Sequence, residues 1–283
     1  MNKAIKENIT RIIGAILLII GIITFNTIGW LTLAFFIPAI IMILANKKLA
    51  QAEFKQFILT FKKIPEKNYF LIAMYDIFSW FGLFMATYLL GTIMNAQIAG
   101  MEIIEPGAMV KLLTMTIAYF TALIALSVVI YSAFKGMIWL TILNKNIDWG
   151  YFVRFSLLNA IWFAFWIIPA LIIVLGLKPD YFLYLGIMAA IIDMHMTTIM
   201  QYSFTKKNLI WPSIGHAFAV GIGSIKKFLL PYSYIAATCI ILFNIFWIMP
   251  KEQNIITFAS ILLLVFVIAW YRQYMAVLLG KIT

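Results

Sequence analysis

Charge is scarce in this chain: 11% of its 283 residues are Asp, Glu, Lys or Arg, and only 10 are acidic. A water-soluble domain carries roughly 25% charged residues. The apolar remainder here, 65% of the chain with a mean hydropathy of +1.03, is too large to hide in one soluble core. Cysteine is nearly absent. Cys239 stands alone inside an apolar run, which excludes an intramolecular disulfide and leaves the redox compartment open, so it reads as a small buried hydrophobe. Missing too are a CxxC pair, an HExxH helix, a Walker glycine loop, a GxGxxG turn after a strand and a GxSxG elbow. No catalytic residue can be named and no cofactor is implied, which makes an enzyme the least favoured class.

What is present is apolar length. Runs near 12–25, 28–45, 69–94, 109–134, 156–177, 181–202, 229–249 and 255–279 predict an all-α polytopic integral membrane helical bundle of about eight transmembrane helices. The first run follows a basic start, as a signal peptide would, but no small-residue cleavage pattern follows it, so it is expected to stay. A single helix over 12–45 would be about 50 Å long, more than a bilayer core requires. A turn at 26–29 is therefore expected to fold it into a hairpin. All but Lys111, Lys178 and Lys251 of the 21 Lys and Arg fall on one side of this arrangement. The positive-inside rule makes that side cytoplasmic, with both termini inside a cell membrane. The net charge of +11 is thus scattered over short loops, and nucleic acid is excluded as a partner.

A basic amphipathic segment at 46–68 interrupts the spans. Phe54, Ile58 and Phe61 share one helical face, while Lys47, Lys48, Lys55, Lys62 and Lys63 lie mostly off it, the pattern of a helix resting on a membrane surface. A second such segment is expected near 211–228, where Lys226 and Lys227 follow Lys206 and Lys207. These lysines are the expected contacts to an anionic cytoplasmic leaflet. Superposing Lys62 and Lys63 on Lys226 and Lys227 sets Phe54 over Phe218, Ile58 over Ile222 and Phe61 over Ile225, which predicts a repeated buried face. The chain then divides into an N-terminal hairpin, 1–49, and three parallel repeats, 50–145, 146–207 and 208–283, each a surface helix plus a hairpin.

This layout resembles uncharacterised prokaryotic membrane families that alternate amphipathic helices with transmembrane hairpins, including the membrane regions attached to some glycerophosphodiester phosphodiesterases. The resemblance covers about 50–283 and implies a helical membrane unit. No catalytic residue carries over, since the soluble phosphodiesterase domain has no counterpart here.

Chemistry is expected where ionisable groups enter the bilayer, because each costs about 3 kcal/mol there. Asp76, Asp193, His195, Arg272 and Lys135 meet that description. Asp76 and Arg272 are expected at similar depth and able to pair, with Lys135 in the same layer. Asp193 and His195 are two residues apart and so point to different sides of a helix, which opposes a shared ligand. Met188, Met194, His195, Met196 and Met200 offer soft ligands, but their directions diverge and no metal site is expected. His216 reads as an interfacial side chain. Function is expected to be that of a lipid-associated scaffold, assembly or envelope-maintenance component, with a protein partner or a second copy as possible company. The alternative is a small-solute or proton/cation-coupled transporter using the intramembrane charges. An outward cleft at Glu102 and Glu105 would favour an enzyme.

Overall fold

The computed structural model describes residues 11–19, 33–45, 47–63, 66–99, 107–176, 179–248 and 253–282. The expected turn at 26–29 and the loop carboxylates Glu102 and Glu105 lie outside them. Every regular element among the described residues is an α-helix: 11–19 (α1), Leu33–Leu44 (α2), Lys47–Lys63 (α3), Glu66–Ala99 (α4), Ala108–Ile142 (α5), Trp149–Gly176 (α6), Pro179–Lys207 (α7), Ile210–Gly223 (α8), Ile225–Ile248 (α9) and Gln253–Ile282 (α10). Four of them, through Asn68–Ala99, Ala108–Ile142, Trp149–Pro169 and Leu262–Ile282, are long and apolar enough to cross a bilayer. The expected spans at 12–25, 28–45, 181–202 and 229–249 contain residues or side chains outside the described set.

The exterior of these helices is consistent with a lipid surround. None of the most apolar stretch of α5 is buried by protein, and Trp80 and Phe84 on α4 are 66% and 64% exposed. Apolar area left in water costs about 25 cal/mol per Å². Hydrocarbon removes that cost.

Several helix boundaries differ from the sequence reading, each for a local reason. The aromatic stretch Trp149–Phe155, which opens the repeat at 146–207, is the start of α6. It is launched by Asp148, whose carboxylate oxygens accept from the backbone N–H of Gly150 and Tyr151 at 3.2 Å each, as an N-cap does. Immediately before it, α5 ends in a left-handed Asn144, φ 50°. Lys145 N–H donates to Leu140 O at 2.9 Å and Asn144 N–H to Thr141 O at 3.3 Å, the paired bonds of a Schellman stop. The helix expected over 211–228 breaks earlier, at Ser224, between α8 and α9.

The described residues form two compact units, 1–69 with 218–283, and 70–217. In the first, α1 and α2 approach so closely at Gly14 that an added Cβ would sit 2.9 Å from the Ala39 carbonyl oxygen and 3.1 Å from Met42 Cβ. Gly14→Ala should therefore destabilise the protein by about 1–3 kcal/mol through overpacking, despite alanine's helix preference of about 1 kcal/mol. Thermal unfolding in detergent checks this, and an unchanged or raised midpoint would mean that the helices slide apart freely.

The same unit corrects the face assigned to α3. Phe57 is buried where Ile58 is exposed: Phe57 lies edge-on to Trp270 at 4.3 Å and to Tyr274 at 5.6 Å, with Tyr234 at 5.2 Å. Phe54 packs beside it on Tyr234, and Tyr274 donates to Glu53 at 3.2 Å. Ile58, Ile222 and Ile225 are all exposed to the outside of the protein, so the repeated face does not coincide with protein-buried positions. The side chain of Phe61 lies outside the described residues. Bilayer and protein core are both apolar, and a helical hydrophobic stripe does not say which of the two it meets.

Candidate functional site

The second unit gathers its polar side chains between α5, α6 and α7. Along α7, Asp193, Thr197, Gln201 and Thr205 recur every four residues, which keeps them near one face. Opposite them, α6 presents Tyr151, Asn159, Trp162 and Trp166, and α5 presents Ser127, Tyr131, Ser132 and Trp139.

At the centre, the Gln201 amide is spent on three partners. Its Oε1 accepts from Trp139 Nε1 at 2.9 Å, and its Nε2 donates to Asn159 Oδ1 at 3.0 Å and to the Tyr131 hydroxyl at 3.2 Å. Asn159 passes the chain on, its Nδ2 donating to Ser132 Oγ and to the Phe155 carbonyl, both at 3.0 Å. Toward Lys206, Thr205 Oγ1 lies 2.8 Å from the Tyr151 hydroxyl. Lys145 Nζ donates to the carbonyls of Thr205 and Lys206 at 2.7 and 2.9 Å, a cation placed on the negative end of α7.

Asp193 anchors the other end. Its Oδ1 accepts from Trp162 Nε1 at 3.0 Å and from Thr197 Oγ1 at 2.9 Å, and Trp162 Nε1 also donates to Thr197 Oγ1 at 2.7 Å. No described residue donates to its Oδ2. Beside this carboxylate opens a cavity of about 610 Å³, lined by apolar side chains of α4, α5 and α6 together with Ser127, Tyr131, Asn159, Trp162, Trp166, Asp193 and Thr197. The Trp166 indole N–H is buried without a hydrogen-bond partner among the described residues. A site this size, mostly apolar with a few convergent polar groups, fits a small organic molecule.

Asp76 and Lys135 form a separate buried pair at 2.5 Å, their side chains 3% and 10% exposed. Lys135 Nζ also lies 5.6 Å from the centre of the Tyr131 ring, which joins the pair to the network. Thus Asp193 lines the cavity, and Asp76 with Lys135 sits one aromatic ring away from it. His195 is buried on another side of α7 and does not line the cavity, as its two-residue offset from Asp193 requires. Arg272 belongs to the first unit. Met194 is exposed and Met196 buried, and the described residues contain no group of three or more His, Cys, Asp or Glu able to hold a metal ion.

Outside the spans, Lys55, Lys206, Lys207, Lys226 and Lys227 are exposed, while the side chains of Lys47, Lys48, Lys62 and Lys63 lie outside the described residues. His216 on α8 is held below the ordinary histidine range, first by desolvation and then by the charges of Lys207 and Lys206.

Asn159, Gln201, Trp162, Thr197 and Tyr131 were missed by a search for charge alone. The signal was available: two amide side chains inside apolar runs, and a hydroxyl, amide and carboxylate at four-residue spacing on one helix.

Comparison with known proteins finds no match: no family model fits the chain, no curated protein matches its sequence, and no solved structure matches its fold.

Proposed function

We propose that the protein is a multi-pass small-solute transporter with about eight spans, both termini cytoplasmic and three parallel repeats after its first hairpin. One observation carries this reading: a carboxylate whose second oxygen has no partner among the described residues faces a cavity of about 610 Å³ inside an apolar helical unit. Ionisable groups within membrane-spanning helices commonly mark a pathway or a ligand site. The exposed lysines Lys206, Lys207, Lys226 and Lys227 support an inner face held against anionic lipid, the property a lipid-associated scaffold would also use. A scaffold has no use for the cavity.

The test needs no substrate. In a Cys239→Ser background, Ser127→Cys places one thiol in the cavity wall. A membrane-impermeant thiol reagent should modify it from either side of the bilayer, in intact spheroplasts and in inverted vesicles. Reaction from one side alone would reduce the cavity to a binding pocket. A thiol inert from both sides would return the protein to the scaffold reading.

A further inference from the structure

The cavity is asymmetric in charge. Among the described residues Asp193 is its sole carboxylate, and no Lys, Arg or His lines it. The titratable groups on the packed elements are few. Tyr131 on α5 lines the wall, Lys135 on α5 is held by Asp76 on α4, and α6 contributes Asn159, Trp162 and Trp166, none of which titrates. On α7 itself His195 faces elsewhere. An anion entering here would meet a carboxylate with no counter-charge, and a neutral solute would leave that carboxylate uncompensated. A bare metal ion would find one carboxylate among aromatic walls, far from the six to eight oxygens a hard cation such as calcium takes. Trp162, Phe163 and Trp166 supply what a cation with an apolar body prefers, since indole and phenyl faces attract positive charge.

We infer that the cavity takes an amphiphilic organic cation, its charge on the free oxygen of Asp193 and its apolar body against Trp162, Phe163 and Trp166, in exchange for a proton. The exchange balances: the O–H bond of the protonated carboxyl breaks, the proton passes to water, and an ion pair replaces it with no electron transferred. Binding stands on the cavity alone, whereas the exchange rests on the transport reading.

Tetraphenylphosphonium and tetraphenylborate are near-isosteric probes of opposite charge, and Trp162 and Trp166 report on the cavity through their fluorescence. With the purified full-length chain in detergent, the phosphonium should quench saturably and the borate should not. Acidification should weaken phosphonium affinity, because proton and cation compete for one carboxylate. Asp193→Asn should weaken it at least about tenfold, a loss of about 1.4 kcal/mol, and abolish its pH dependence. Should Asp193→Asn fail to fold, Ser127→Lys tests the same point by placing an ammonium in the cavity, and phosphonium binding should then disappear. Equal binding of the two probes, or phosphonium binding unaltered by either substitution, overturns the inference. If the thiol introduced by Ser127→Cys reacts from both sides but the phosphonium does not bind, the cation site falls and transport stands. If the phosphonium binds but that thiol reacts from one side only, the cation site stands and the exchange falls.

Discussion

Replacing Asp76 by Asn should lower the unfolding stability of the protein in detergent by about 3–5 kcal/mol. The ammonium of Lys135, 2.5 Å away with its side chain 10% exposed, would then sit buried without the Asp76 carboxylate, and breaking one side of a buried pair costs about that much. Lys135→Met should also destabilise, because it takes the ammonium 2.5 Å away from the buried Asp76 carboxylate. The double variant should be less damaged than the sum of the singles, because both singles lose the same ion pair. A double-mutant cycle on chemical unfolding in detergent measures the coupling. Singles as stable as the parent, or penalties that simply add, would show that the pair does not hold α4 to α5.

Gln201→Leu should be nearly as harmful although it removes no charge, with an expected loss of about 2–5 kcal/mol. Leucine would strand the Trp139 N–H, the Asn159 carbonyl and one bond to Tyr131, and each buried polar group left unmade costs about 1–3 kcal/mol. Adding Asn159→Leu should cost less than it does alone, since its main partner is already gone. Thermal unfolding of the two singles and the double decides this. A Gln201→Leu variant within about 0.5 kcal/mol of the parent, the ordinary range of surface changes, would mean that water replaces the amide and the network is not structural.

Much of this architecture could be read in advance because hydrocarbon is an unforgiving solvent. Apolar length announced long helices, and charge inside apolar runs named Asp76, Asp193, His195, Arg272 and Lys135 without any motif, of which Asp193 lines the cavity and Asp76 meets Lys135. Pairing was less legible: depth alone could not say that Lys135 meets Asp76, which the structure shows. The face of α3 was read only in part, with Phe54 packed on Tyr234 but Ile58 exposed, because Phe54, Phe57, Ile58 and Phe61 are all strongly hydrophobic. Choosing among them needs the aromatic surface of Trp270, Tyr274 and Tyr234, far away in the chain. Asn159 and Gln201 escaped notice for a different reason. A neutral amide carries no formal charge to flag it, and its value appears only once three helices bring its partners together.

The contacts joining α6 to α7 also act as a register lock. Trp162 meets Asp193 and Thr197, Asn159 meets Gln201, and Tyr151 meets Thr205, three rungs ordered as an antiparallel pair demands. Lipid tails and leucines are alike in polarity, so apolar contact alone would let such a pair slide with little penalty. A slip of one turn, about 5.4 Å, would unseat every rung at once. The hairpin therefore has one alignment, which keeps Asp193 at the same height as the tryptophans that form the wall around it.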